Sequence, residues 1–97
     1  MMNLYKFYAY CGRMGSLHGL FISTPEKVEE AKGSILYFGE VLGKHSDIVV
    51  ELHDDKIDLI SDNQEKVAWL KELLGETVSG FNPIHVYNDQ KDEEELL

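Results

Sequence analysis

The chain is short of the residues that staple a protein, anchor it in a membrane or hold it to nucleic acid. It has one cysteine, Cys11, so no disulfide can form within it and packing must hold the core. No apolar run reaches the roughly 18 residues a membrane helix needs. The N-terminal MMNLYKFYAY carries neither an apolar segment of signal-peptide length nor a small-residue cleavage site, so the expected location is the cytoplasm. Basic residues are scarce: nine Lys and Arg stand against eighteen Asp and Glu, for a formal charge of −9. A field of that sign repels nucleic-acid phosphates and anionic membranes, which argues against direct nucleic-acid binding and suits a basic protein partner or simple solubility.

What remains is an ordinary globular composition. Ninety-seven residues with 43% hydrophobic and 10% aromatic content make one domain, long enough to bury roughly two-thirds of its unfolded surface. The last segment, 89–97, holds five acids and one lysine, a net −4, which leaves −5 on residues 1–88. The expectation is therefore a folded body over 1–88 and an acidic tail over 89–97 that is disordered or orders on a partner.

The expected fold is α+β, mainly an antiparallel sheet of about five strands with two helices, in the order β-β-α-β-β-β-α-(β). Aromatic-rich 4–11 reads as a strand with Phe7 and Ala9 on its better core face and Leu4, Lys6, Tyr8 and Tyr10 on the other. Residues 17–23 form a second strand, joined to the first by a glycine-punctuated turn. Thr24-Pro25-Glu26 starts a helix over 25–32: Thr24 caps it, Pro25 suits the first helical position, and Gly33 ends it. After a strand at 35–38, the alternating segments 47–53 and 56–61 suggest a hairpin turning at Asp54-Asp55. That register pairs Leu52 with Ile57 and Val50 with Leu59 on one face, and sets Glu51 opposite Asp58 and His53 opposite Lys56 on the other. Capping boxes at Ser61 and Asp62 open a helix over 62–74, with Val67, Leu70 and Leu74 as its central stripe, widened by Trp69 and Leu73. This helix is expected on the core face of the sheet. Gly80-Phe81-Asn82-Pro83 reads as a turn, and 84–87 as a short edge strand.

Three places can carry chemistry. The segment 12–19 gathers glycines with Arg13, Ser16 and His18; glycine backbones approach anions closely and a guanidinium forks onto phosphate or carboxylate. The plain alternative is a glycine-rich hairpin turn. Segment 39–46 has the glycines of a P-loop but not its spacing, its Ser or Thr directly after the lysine, or its following helix, so nucleoside-triphosphate hydrolysis is rejected. Lys44, His45 and Ser46 nevertheless group donors within an acidic body, suited to a small anionic ligand. The third place is acidic: Glu51 and Asp58 on the hairpin's outer face, with Glu93, Glu94 and Glu95 in the tail, suit a basic protein surface. The alternative for these is a solvated face.

No metal or cofactor is expected, since His18, His45, His53, His85 and Cys11 lack zinc-ligand spacing. A Cys11–His18 nucleophile–base pair has no orienting group in the sequence. An enzyme working through His45 or His18 is the least favoured reading. Tyr8, Tyr10 and Tyr37 can stack on a base, although strand tyrosines are more often packing. An apolar strand face bearing Leu4, Tyr8 and Tyr10, with no evident cover, favours a dimer.

Three stretches, GRMGSLHGLF (12–21), YFGEVLGKHS (37–46) and SGFNP (79–83), resemble a group of small bacteriophage and prophage proteins. The resemblance transfers no functional residue. It implies only a context, a phage-encoded protein in the host cytoplasm, and a small acidic phage protein without catalytic motifs is often a counter-defence factor. Such a factor either sequesters a small nucleotide-type signal or masks the basic surface of a host effector.

Overall fold

Residues 3–61 lay down one helix and five strands in two separate sheets, and the rest of the chain adds a sixth strand and two more helices. A computed structural model describes residues 1–43 and 47–96, with side chains described as far as Asp92. Its elements are β1 (Asn3–Tyr10), β2 (Ser16–Ser23), α1 (Pro25–Ala31), β3 (Ile35–Gly39), β4 (Ile48–Glu51), β5 (Ile57–Ser61), α2 (Gln64–Leu74), β6 (Thr77–Gly80) and α3 (Pro83–Leu96). Short 3-10 turns occupy Gly12–Met14 and Asp54–Lys56. The fold is α+β. A four-stranded antiparallel sheet runs β5-β1-β2-β6, and β3 and β4 form a second, two-stranded sheet.

The β1–β2 hairpin is paired along its whole length, from Asn3↔Ser23 to Tyr10↔Ser16. Alternation places Tyr5, Phe7 and Ala9 on one face with Leu17 and Phe21, as the sequence suggests, and all five are buried. Tyr5 stacks on its cross-strand partner Phe21 at 5.5 Å, and Phe7 stacks on Phe38 of β3 at 5.7 Å. Each such pair is worth about 0.5–1.5 kcal/mol beyond its buried area. The second layer over this face comprises Val28 and Ala31 of α1, Leu36 of β3, Ile48 and Val50 of β4, Leu52, and Ile84 of α3. Thr24 caps α1 as expected, its Oγ1 accepting from the Lys27 N–H at 3.2 Å.

The hairpin expected across 48–61 does not form. β4 pairs with β3 and β5 with β1, so the two alternating segments belong to different sheets. The chain leaves β4 at Leu52, whose N–H donates to the Ser34 carbonyl and whose carbonyl accepts from Gly33 N–H. It then crosses through the Asp54–Lys56 turn, which an ion pair from Lys32 to Asp54 (2.9 Å) ties to the end of α1. Val50, Leu52 and Ile57 are buried as expected, because alternation sets the face a residue presents. It does not set the partner strand. Glu51 faces Ile35 and Asp58 faces Lys6, so the expected like-charge pair is absent. Leu59 lies across from Tyr5 but is 55% exposed, since β5 is the outer edge of its sheet.

Both C-terminal expectations also need correction. The second helix covers the other face of the sheet rather than the Phe7 face. Its Val67 is buried, as is Ile22, which pairs with Leu4 on that face, and neither belongs to the main core cluster. One helix over one end of a sheet needs only a narrow stripe. Leu70 is half-buried, while Trp69, Leu73 and Leu74 are 53–60% exposed. Asn63 caps this helix, its Oδ1 accepting from Lys66 N–H at 3.1 Å, in place of Ser61 or Asp62. The last strand is 77–80, not 84–87. Residues 84–87 belong to α3, which continues through the acidic run expected to be a tail. Asn82-Pro83 is that helix's start: Asn82 Oδ1 accepts from the Ile84 and His85 N–H groups at 3.0 and 3.4 Å. Among the described residues no helix is long and apolar enough to cross a membrane.

Candidate functional site: the uncovered half of the sheet

Because α2 covers only the Leu4–Ile22 end of its face, the other end of the hairpin is open. Register places Lys6, Tyr8 and Tyr10 of β1 beside Leu20, His18 and Ser16 of β2, in that pairing order. Tyr10 is 72% exposed and Tyr8 41%; Lys6 and His18 are exposed as well. The Tyr8 and His18 rings stand 4.9 Å apart with planes tilted by 60°, and Tyr8 Oη lies 3.4 Å from Ser16 Oγ. The hydroxyl pair and the ring contact hold Tyr8 from two sides. Lys6 faces Asp58 across β5 yet makes no ion pair among the described residues.

A shallow cavity of about 390 Å³ lies beside this group, lined by Lys6, His18 and Leu20 and by the chain at Gly19, Ser79 and Gly80. The two glycines pair directly where β2 meets β6. A Cβ at Gly19 would run into the Phe81 carbonyl and one at Gly80 into the His18 carbonyl, so only glycine lets the strands approach here. The resulting surface combines planar rings, an ammonium and an imidazole. It can stack a flat ring and donate to an anion.

Of the residues expected to bind a ligand, Ser16 and His18 belong to this face, and Arg13 is exposed in the Gly12–Met14 turn that ends it. Lys44, His45 and Ser46 lie outside the described residues. Within the described residues, Leu42 Cδ1 lies 3.7 Å from where a Cβ on Gly15 would stand. The acidic candidates are scattered. Glu51 is on β4, with its carboxylate 3.4 Å from His53 Nε2; Asp58 is on β5; and Glu93, Glu94 and Glu95 fall within α3. Cys11 and His18 do not make a nucleophile–base pair. Alternation puts them on opposite faces, and Cys11 packs at the margin of the core with its Sγ 3.7 Å from the Ala9 carbonyl.

The sequence puts Lys6, Tyr8 and Tyr10 on one face and offers Tyr8 and Tyr10 as rings able to stack on a base, but does not join them to Lys6 as a site. The missing information was the position of α2, which decides whether that face is covered. Lys6 was the available signal, a charged residue inside an otherwise aromatic stripe. Among the described residues no cluster of three or more His, Cys, Asp or Glu side chains has a geometry that could hold a metal ion. Comparison with protein-family models, with curated proteins and with solved structures finds no match to this chain.

Proposed function

We propose that the chain is a non-catalytic binding protein that sequesters a small anionic nucleotide-type ligand, as a counter-defence factor of a phage would. The observation that carries this reading is the uncovered aromatic face with its own cationic group. Tyr8 and Tyr10 offer rings, and Lys6 and His18 offer donors within one cross-strand step of them. A base stacks on an aromatic face whatever its identity, and a phosphate beside it meets the ammonium. The net charge of −9 keeps the ligand small, because a polynucleotide adds a repulsive phosphate with every residue beyond the face. Native mass spectrometry of protein purified from infected or defence-active cells tests the proposal. It reads retained mass and oligomeric state together. A retained small molecule absorbing near 260 nm, lost in Tyr8→Ala, is the expected result. Protein that carries no such mass under conditions where the defence is blocked would sink the reading.

A further inference from the structure

The two edges of the β3–β4 sheet are finished in opposite ways. Leu52 N–H donates to the Ser34 carbonyl at 2.9 Å, which makes 34 and 52 a hydrogen-bonded pair and, by alternation, Leu36 and Val50 the next. The intervening pairs, Ile35↔Glu51 and Tyr37↔Val49, therefore point their backbone groups outward, away from the ladder. On the β3 side these groups are satisfied by one side chain. Gln90 of α3 accepts from Tyr37 N–H at 2.7 Å through Oε1 and donates to the Ile35 carbonyl at 3.0 Å through Nε2. A single amide thus stands in for a neighbouring strand and closes that edge.

The β4 edge has no such closure. The Glu51 carbonyl accepts locally from His53 N–H at 3.1 Å, but among the described residues nothing bonds the outward groups of Val49. That edge borders a cleft of about 440 Å³. Five consecutive residues, 47–51, line it, as happens when a strand presents its backbone edge rather than one face. The opposite wall is the end of β1 beyond Phe7, where pairing with β5 has stopped, together with Cys11 and Met14. An open edge of this kind is a template for an added strand.

His53 and Lys56 line one end of the cleft, with His53 Nε2 3.4 Å from the Glu51 carboxylate, and the residues along the edge itself state what that strand must carry. Asp47, Val49 and Glu51 alternate on the solvent face; all three are exposed, Val49 at 48%. We propose that the β4 edge captures an extended segment of a basic protein partner, added antiparallel, with a basic, an apolar and a basic side chain opposite Asp47, Val49 and Glu51. Cross-strand pairing of opposite charges favours this pattern, and the −9 field steers a basic chain toward it. The two intervening residues face the Met14 and Cys11 wall and must be small or apolar. Tyr10 lines this cleft as well as the tyrosine face, but Tyr8, Lys6 and His18 do not, so Tyr8→Ala should leave peptide binding unchanged and the two proposals can fail separately.

The test is fluorescence anisotropy of the full chain with a labelled, end-capped peptide Lys-Ala-Val-Ala-Lys at about 0.15 M salt, where long-range attraction is screened. In the added strand the lysines and the valine bond to β4, and the alanines do not. N-methylation of the valine nitrogen should abolish binding, while N-methylation of an alanine nitrogen should leave it nearly unchanged. Glutamate in place of both lysines should weaken binding about tenfold or more. The double variant Asp47→Lys, Glu51→Lys should reverse that preference. Equal binding of the two methylated peptides, equal binding of the glutamate peptide, or no binding of the lysine peptide would each overturn the proposal.

Discussion

Tyr8 and His18 are direct cross-strand partners whose rings lie 4.9 Å apart on a part of the sheet that no other described element covers. Paired aromatics on a strand face normally mark packing against a second layer. Here the second layer stops short: α2 reaches the Leu4–Ile22 end only. Alanine at Tyr8 or at Tyr10 should each weaken ligand binding by about 5- to 150-fold, the range set by about 1–3 kcal/mol per stacked base. Tyr10→Ala should leave unfolding free energy within about 0.5 kcal/mol of the parent, as expected at a side chain 72% exposed. Urea denaturation beside titration calorimetry separates the two effects.

Gly19 is where β2 touches the chain at Phe81, and a methyl group there collides with the Phe81 carbonyl. Gly19→Ala should destabilise by about 1–3 kcal/mol through displaced backbone. The shift should appear in the urea midpoint with the m-value unchanged. Because the cavity beside His18 is walled by the same chain, ligand affinity should fall too.

Asn82 links β6 to α3. Its Oδ1 caps the helix and its Nδ2 donates to Thr77 Oγ1 at 3.0 Å, with the residue itself buried. Asn82→Ala should cost about 0.5–2 kcal/mol. Hydrogen exchange should quicken first in α3. Asn82→Asp keeps the acceptor and should recover most of the loss, a rescue that a packing role alone would not give.

The ion pairs at Lys32 carry a pH signature. Its ammonium is raised above the ordinary lysine value, first by the Glu29 hydrogen bond and then by Asp54, and Asp54 is lowered by Lys32. A raised lysine contributes stability that is complete below its unfolded value of 10.5 and is lost as pH rises through the folded one. A lowered aspartate contributes stability that is complete above its unfolded value of 3.8 and is lost as pH falls through the folded one. The contribution is therefore full between those two values. Thermal melts of Lys32→Ala should show a small drop in Tm at neutral pH, shrinking toward zero at acid pH. Both partners are at the surface, so added salt should shrink it as well.

The legible part of the fold was whatever is fixed by residues close in sequence. Thr24-Pro25 and Gly33 bounded α1 because caps act within one turn, and Phe7, Ala9, Val50 and Leu52 showed their faces because strand alternation is local. Strand partners were not legible. The segments at 48–51 and 57–61 alternate compatibly, and only the short turn at Asp54–Lys56 and the competing partners Leu36 and Phe7 send them to different sheets. Asn82-Pro83 carried the same start signal as Thr24-Pro25, but a polar, acidic sequence after it lacks the apolar stripe by which a helix is usually read. Ser16 and His18 were found as candidate site residues from their donors. Tyr8 and Tyr10 were legible as rings able to stack on a base, but Lys6 and the openness of their face were not, because an open face is a property of what fails to pack on it. Gln90 as the closure of the β3 edge had no signal in the sequence at all.

The central claim is that the uncovered tyrosine face binds a small nucleotide-type ligand, and an amide chemical-shift titration with nucleoside monophosphates tests it most directly. The account predicts saturable shifts grouped at 6–10 and 16–20, abolished or strongly weakened in Tyr8→Ala while the remaining spectrum stays native. Shifts that fall elsewhere, that are absent at millimolar nucleotide, or that persist unchanged in Tyr8→Ala would contradict it.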